Sequence, residues 1–377
     1  MLLIDRKETE PHISVERGIE VVEDAFRELG ENPTINHPRR RLDVYQEGWS
    51  QRRLNVFAAA LPLKGYVGTL LRLDHIQNLH DGKRIAVAGG SPFDRQTESV
   101  MFQESMRRVY VLFDLASGMP AAIQYGGTGR LSPMRIRALH PEVVSLRTTA
   151  TSVVGIKHLA CDDAPTLGLL GTGGFAPSHL VGICAVRNIK TIKVFSPTRE
   201  HRERFSQQMA EIMGREITPV EDARSAVEDS DIVMCCTNSI IPVFEGDWLK
   251  PGATVACIVG MNKEYGKRDE HFSATEVDDT TIKRSQVIVV NSIEQAIQDE
   301  QGTLWERVQR GLIDWSQVLE LGELVAGKTP GRTSREQICF FHNNAGQGVA
   351  DLAIAIEHYE TARRFGLGTP VAGLEGV

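Results

Sequence analysis

The sequence has 377 residues, of which 41% are hydrophobic and 24% charged, with a net charge of −7. That is enough chain for two folded units with a large core and an ordinary globular composition. The negative charge, with Arg39-Arg40-Arg41 as the only dense basic triplet, argues against a nucleic-acid partner. No apolar run approaches the roughly 18 residues that span a bilayer, and the first residues lack the apolar core and cleavage site of a secretion signal.

Along the chain, residues 13–29 carry Ile13, Ile19, Val22, Phe26 and Leu29 at helical spacing, with Ser14 placed to cap. A polar loop containing HPRRRL follows. Runs at 42–45, 54–61 and 66–73 read as strands, as do 109–114 and 121–125 around a Ser117-Gly118-Met119-Pro120 turn. The first third is therefore expected to be one helix plus mainly antiparallel sheet. Residues 76–105 read as an irregular lid or surface insertion, and 127–142 are rich in turn formers. Helices are expected over 143–160 and 199–213, a short strand from Thr218 and a short helix over 221–227. The continuously apolar runs at 231–237, 253–259 and 287–291 fit a parallel sheet buried on both faces. Helices over 293–300, 304–310 and 315–321, a break at KTPGRTS, a strand at 337–341 and a helix over 348–365 complete the chain, with no internal repeat.

Six cysteines form no C-x-x-C pair, and His80, His140 and His158 lack metal-ligand spacing. We expect reduced core cysteines in a cytoplasmic protein, without a metal.

The most informative stretch runs from Thr166 to Arg199. An apolar run leads into Gly171-Thr172-Gly173-Gly174-Phe175-Ala176, a helix-like segment and a second β-branched run ending at Phe195. This is a βαβ unit with G-x-G-x-x-A at its first turn. The first glycine permits a tight turn, the second lets backbone N–H groups approach a pyrophosphate, and the small last residue lets helix and strand pack closely. No acid stands at the end of the second strand to accept from a ribose 2′-OH. Ser196, Thr198 and Arg199 stand there instead, with Arg202 one turn on. A hydroxyl and a guanidinium suit a 2′-phosphate, so NADPH is expected over NADH; solvated helix arginines are the plainer reading. In a doubly wound sheet the cofactor lies over the C-terminal strand ends, which adds Thr237, Asn238, Val259, Gly260 and Met261 to the expected contacts.

Several motifs, in order, resemble the ornithine cyclodeaminase and mu-crystallin family. They are PRRR (38–41), LRTTATSVVGIKHLA (146–160), LGLLGTGGFAPSHL (167–180), DIVMCCTNSIIPVF (231–244), PGATVACIVGMNKEYGKRDE (251–270), LELGELVAGKTPGR (319–332) and FFHNNAGQGVADLA (340–353). The resemblance implies an α/β protein. Its Rossmann domain would cover 151–330, and a discontinuous α+β domain, 1–150 plus 331–377, would bind substrate and form a homodimer. It implies hydride transfer with NAD(P) at a carbon between a nitrogen and a carboxylate. It assigns Arg147 to the substrate carboxylate, and one arginine of the HPRRRL loop as a second ligand, for which we take Arg40, with Arg39 and Arg41 as rivals.

The departures from the family pattern matter as much. The lysine that the family carries in the strand at 66–73 is replaced by Thr69 or Leu70. Arg72 could supply charge nearby but cannot donate a proton near neutral pH; Lys64, Lys157 or a water could. Asn55 and Asn262 stand where cyclodeaminases have acids, with Asn55 kept as a substrate contact. The expected function is reduction of an imine, or oxidation of the amine, beside a carboxylate in an amino-acid-like substrate. The alternatives are a cyclodeaminase with recycled NAD and an NADPH-binding protein with decayed catalysis.

Overall fold

The computed structural model describes residues 1–46, 50–78, 101–126, 146–237, 239, 241–258, 275–344 and 348–372. Its first part contains β1 (Leu2–Asp5), α1 (Arg6–Thr9), α2 (Val15–Glu31), β2 (Arg40–Gln46), β3 (Ser50–Leu61), β4 (Tyr66–Asn78), β5 (Met101–Asp114) and β6 (Pro120–Tyr125). The middle holds α3 (Leu146–Leu159), β7 (Thr166–Leu170), α4 (Ala176–Val186), β8 (Thr191–Phe195), α5 (Arg199–Met213), β9 (Thr218–Pro219), α6 (Ala223–Val227), β10 (Ile232–Cys235) and β11 (Thr254–Cys257). Then come α7 (Asp279–Arg284), β12 (Ser285–Val290), α8 (Ile293–Gln298), α9 (Trp305–Gln309), β13 (Val318–Glu320), α10 (Leu321–Val325), β14 (Ile338–His342), α11 (Gly348–Phe365) and β15 (Thr369–Pro370).

Two sheets organise these elements. The first has the order β15-β1-β6-β5-β4-β3-β2. It is antiparallel except where β1 runs parallel to β6. One face is apolar: Phe57, Ala59, Leu61, Leu70, Tyr110 and Leu112 are buried there, against α11 and, beyond it, α2. α2 forms as its periodicity predicts, with Ser14 Oγ accepting from Arg17 N. It packs on α3, α10 and α11.

The second sheet is parallel in every described pairing, with order β13-β12-β14-β11-β10-β7-β8-β9. β10 and β11 are completely buried, which explains their unbroken apolar runs. From β7 the chain steps outward to β8 and β9, then returns to place β10 on the other side. The crevice of such a sheet opens at that reversal, over the strands' C-terminal ends.

Three expectations change, and two strands were not foreseen. Residues 76–78 and 101–105 extend β4 and β5 as paired strand, whereas 79–100, the rest of the supposed insertion, lie outside the described residues, as do the turn formers at 127–142. The helix expected over 315–321 is a single 3₁₀ turn at Trp315–Gln317, closed by an Asp314–Gln317 capping box; β13 follows because Val318–Glu320 find an edge to pair with on β12. β1 and β15 are too short to carry a sequence pattern and exist through pairing. β14, which a division at residue 331 assigns to the first unit, pairs with β11 and β12 inside the parallel sheet. Among the described residues no helix is long and apolar enough to cross a membrane, and no His/Cys/Asp/Glu group could hold a metal. All six cysteines are free.

Candidate active site

The glycine turn sits at the sheet reversal. Gly171 N donates to Phe195 O and Cys236 N to Leu170 O, so the ends of β7, β8 and β10 are stitched together beneath the turn. Gly171 has φ 98°, and a Cβ there would lie 2.5 Å from the Cys236 carbonyl oxygen; only glycine fits. Gly173 is different: a Cβ added to it meets nothing within 4 Å. The space above it is open and faces the start of α4, whose cap residue Phe175 offers no side-chain acceptor. Thr172 is half-buried, Gly174 exposed and Ala176 buried against the sheet. An open cradle over Gly173, with no side chain capping the start of α4, fits a dinucleotide pyrophosphate.

His179, which sequence reading did not single out, anchors this turn. Its Nδ1 lies 2.7 Å from Phe175 O and its Nε2 3.0 Å from Ser152 Oγ. The carbonyl can only accept, so Nδ1 carries the proton and Nε2 accepts from the serine. Complete burial pushes its pKa down to about 4, so it is a neutral pin between α4 and α3.

At the adenosine end, Ser196 is buried and Thr198 half-buried. Arg199 is exposed, its Nε donating to Glu203 Oε1 at 2.7 Å. Arg202, not Arg199, lies back on the strand end, over the Phe195 ring at 5.9 Å, with Nη1 donating to Ser196 O.

At the other end the structure adds a buried carboxylate. Glu276 is fully buried. Thr237 donates both its N–H and its hydroxyl to Oε1 (2.8 and 2.7 Å), and Ile258 N donates to Oε2 at 2.9 Å. One side chain thus ties the loops leaving β10 and β11. Of the residues expected here, Thr237 follows β10 and bonds Glu276, whereas Asn238, Val259, Gly260 and Met261, with Asn262, lie outside the described residues. The burial that isolates Glu276 also raises the Cys235, Cys236 and Cys257 thiols well above their ordinary pKa, with the carboxylate's charge adding to it; they are inert packing.

Across the crevice stands Arg147, in the first turn of α3. Asn343, just beyond β14, holds that turn in place: its Nδ2 donates to Thr148 O (2.9 Å) and Ser152 Oγ (2.8 Å), and its N–H donates to Cys257 O at the end of β11. Asn291 Nδ2 donates to Asn343 Oδ1. Arg147 Nε donates to Asp351 Oδ1 on α11 at 3.1 Å, leaving its guanidinium partly exposed.

The antiparallel sheet brings a row of polar residues to the same region. Arg41, Asn55, Arg72 and Arg108 face one another across β2, β3, β4 and β5. Arg72 lies over the Phe57 ring, which fixes the inner face, and Asn55 Nδ2 contacts Arg72 O at 3.5 Å. Burial, then the charges of Arg72 and Arg147, lower the Arg108 pKa against the pull of Tyr110 and Asp351. Arg108 was not foreseen from sequence.

Arg40 does not join this row. Strand alternation turns it to the opposite face, where it is exposed. Its neighbours Arg39 and Arg41 both grip Asp299 after α8, with Arg41 Nη2 at 2.7 Å. Gln295 accepts from Arg39 N and Gln298 donates to Arg39 O. Arg39 and Arg41 are therefore a clamp between the two sheets' units. Leu70 occupies the inner face, lining a cavity of about 10 Å³ with Phe57 and Tyr110, whereas Thr69 donates to Phe57 O. Lys64 and Lys157 are held by Asp24 and by Glu23 (3.4 and 2.5 Å) on α2, away from the cluster.

The ornithine cyclodeaminase/mu-crystallin family profile matches residues 91–365. The chain belongs to this family. A family relative, a Δ1-pyrroline-2-carboxylate reductase of Bacillus cereus, is 26% identical over 324 residues, 86% of this chain and 90% of that one. The structure of Thermococcus litoralis Δ1-pyrroline-2-carboxylate reductase in complex with NADH and L-proline is 27% identical. It covers 98% of this chain and 100% of that chain with a TM-score of 0.73. An archaeal alanine dehydrogenase dimer with bound NAD shares the fold at 23% identity, covering 98% of this chain and 98% of that one, with a TM-score of 0.72.

Proposed function

We propose that the protein is an NAD(P)H-dependent oxidoreductase that reduces an imine, or oxidises the corresponding amine, next to a carboxylate in an amino-acid-like substrate. The observation that carries this reading is the position of Arg147. Asn343 ties its helix start to the end of β11, and the Arg147 guanidinium is partly exposed, which supports a role at the crevice that begins at the glycine turn.

The dinucleotide, when bound, supplies the hydride. The chain's residues do the rest. The open space over Gly173 and the uncapped start of α4 receive the pyrophosphate. Thr237 and Ile258, tied by Glu276, form the wall at the far strand ends. Arg147 binds the substrate carboxylate through its free Nη groups, which fixes the neighbouring carbon. Arg72, always charged, stabilises negative charge and orients substrate without itself supplying a proton. With Thr69 or Leu70 in the lysine slot, a solvent molecule is the proton source, which a preformed imine tolerates better than cyclodeamination does. The 2′-phosphate of NADPH falls to Ser196, Thr198 and Arg202, with Arg199 released from Glu203. We place the protein in the cytoplasm and expect a homodimer in which the 1–150 and 331–377 segments, less β14, carry substrate binding.

The test is absorbance at 340 nm with NADPH or NADH and Δ1-pyrroline-2-carboxylate or 2-oxo acids plus ammonium. Turnover that falls about 100-fold or more in Arg147→Ala, with unchanged NADPH affinity, supports the reading. Tight cofactor binding with no turnover of any imine refutes it in favour of a binding protein, the reading that the replaced lysine supports.

A further inference from the structure

Arg72 and Arg108 place two guanidinium groups side by side on the antiparallel sheet. They are directly opposite one another on β4 and β5, with side chains on the partly buried inner face, where Phe57 and Tyr110 lie. Like charges in directly opposed positions destabilise a sheet, and the cost rises as water is excluded. Arg147 adds a third guanidinium close enough to depress Arg108 further. One carboxylate, Asp351 on α11, faces this group; it gives Oδ1 to Arg147 and keeps a buried Oδ2 without a hydrogen-bond partner, so it offsets one of the three charges. On the side of β2, Asp299 is taken by Arg39 and Arg41. Arg108 itself makes no hydrogen bond or ion pair with any described residue. A sheet that carries such a pair on its cleft face is arranged for an anion between them.

We propose that Arg108, opposite Arg72, forms a second anion subsite beside Arg147, so that the substrate is an imino- or amino-dicarboxylic acid. Arg147 takes the carboxylate next to the reacting carbon, and the β4–β5 arginines take the distal one. A planar guanidinium binds a carboxylate through two parallel N–H···O contacts, and Arg108 is the member of the pair with its donors unengaged. Asn55, in the same row, is neutral and so does not repel the distal carboxylate as an acid there would. The proposal rests on the imine-reduction reading for its chemistry but not for its binding.

Two measurements separate these layers. The first is kcat/KM for oxaloacetate or 2-oxoglutarate against pyruvate, each with ammonium and NAD(P)H. The dicarboxylic series should be favoured about 10- to 100-fold, as one charge-assisted contact allows. Arg108→Leu should bring that ratio to near one by losing the dicarboxylic rate, with pyruvate changed less than about threefold. Arg108→Lys should restore part of the preference. Equal rates in the unmodified protein, or a variant that lowers both series in parallel, would overturn the subsite while leaving imine reduction standing. The second is calorimetry of NADP⁺-saturated protein with the unreactive pair succinate and propionate. Succinate should bind about 10-fold or more tightly than propionate, and Arg108→Leu should erase the difference. Succinate binding that depends on Arg108 without turnover of any imine would keep the subsite and sink the reaction; equal binding of both acids would overturn the subsite.

Discussion

The two glycines of the nucleotide turn should respond to the same substitution in opposite ways. Gly171 has φ 98°, and an added Cβ would sit 2.5 Å from the Cys236 carbonyl oxygen and 2.8 Å from its carbon. The left-handed backbone costs an L-residue about 1–2 kcal/mol, and forcing a methyl against fixed backbone costs about 1–3 kcal/mol more. Gly171→Ala should therefore lose about 2–5 kcal/mol. At roughly 2.1 cal/mol/K per residue, unfolding of this chain carries about 0.8 kcal/mol/K, so the melting temperature should drop by about 3–6 °C. Gly173 has no positive φ, and its Cβ would enter open space. Gly173→Ala should stay within about 0.5 kcal/mol of the parent. Its methyl, however, occupies the space where a pyrophosphate approaches the backbone, so NADPH binding should weaken by about 10- to 100-fold. The assay is a thermal melt without ligand together with a fluorescence titration of NADPH. Parent-like NADPH affinity in Gly173→Ala would refute the assignment of the pyrophosphate to this turn. A large loss of stability in Gly173→Ala would show instead that the space is not open.

Other outcomes follow from the buried polar groups. Glu276→Gln keeps an acceptor for Thr237 but turns an amide donor toward Ile258 N; it should cost about 1–3 kcal/mol in urea melts and weaken NADPH binding, and a neutral result would show that this carboxylate does not hold the wall. Asp299→Ala removes the shared acceptor of Arg39 and Arg41 and should cost about 3–5 kcal/mol, whereas Arg40→Ala, on the exposed face, should change neither stability nor substrate KM. His179 is held neutral, its pKa down to about 4 from 6.5. The unfolded chain binds the extra proton first, so stability present above pH 6.5 is lost as pH falls toward 4, by about 3 kcal/mol at most; His179→Gln should flatten that slope. Glu23, bonded to His158 and Lys157 and thereby lowered to about 2, adds stability above pH 4.5 that is lost as pH falls through about 2. In Glu23→Gln the acid limb of the stability profile below pH 4.5 should be shallower, and an unchanged limb would refute the pairing.

Local sequence determined the elements whose pattern repeats within the element. α2 and α11 were legible because their apolar residues recur at helical spacing, and β7, β10, β11 and β12 because strands buried on both faces are continuously apolar. The glycine turn was legible because it needs two backbone properties that only glycine supplies. Arg147 was singled out by resemblance, and nothing near it in sequence says that Asn343 holds its helix start. What tertiary structure alone decided are the meetings of distant segments. β14 lies between β11 and β12, 80 residues after the former. Glu276 accepts from two loops across the sheet, and Arg39 and Arg41 are committed to Asp299 some 260 residues away. The choice among Arg39, Arg40 and Arg41 turns on strand alternation, which assigns adjacent residues to opposite faces but does not say which face meets a partner. The Arg72–Arg108 pair likewise depends on β4–β5 register: two arginines 36 residues apart become one anion site only when the sheet sets them side by side.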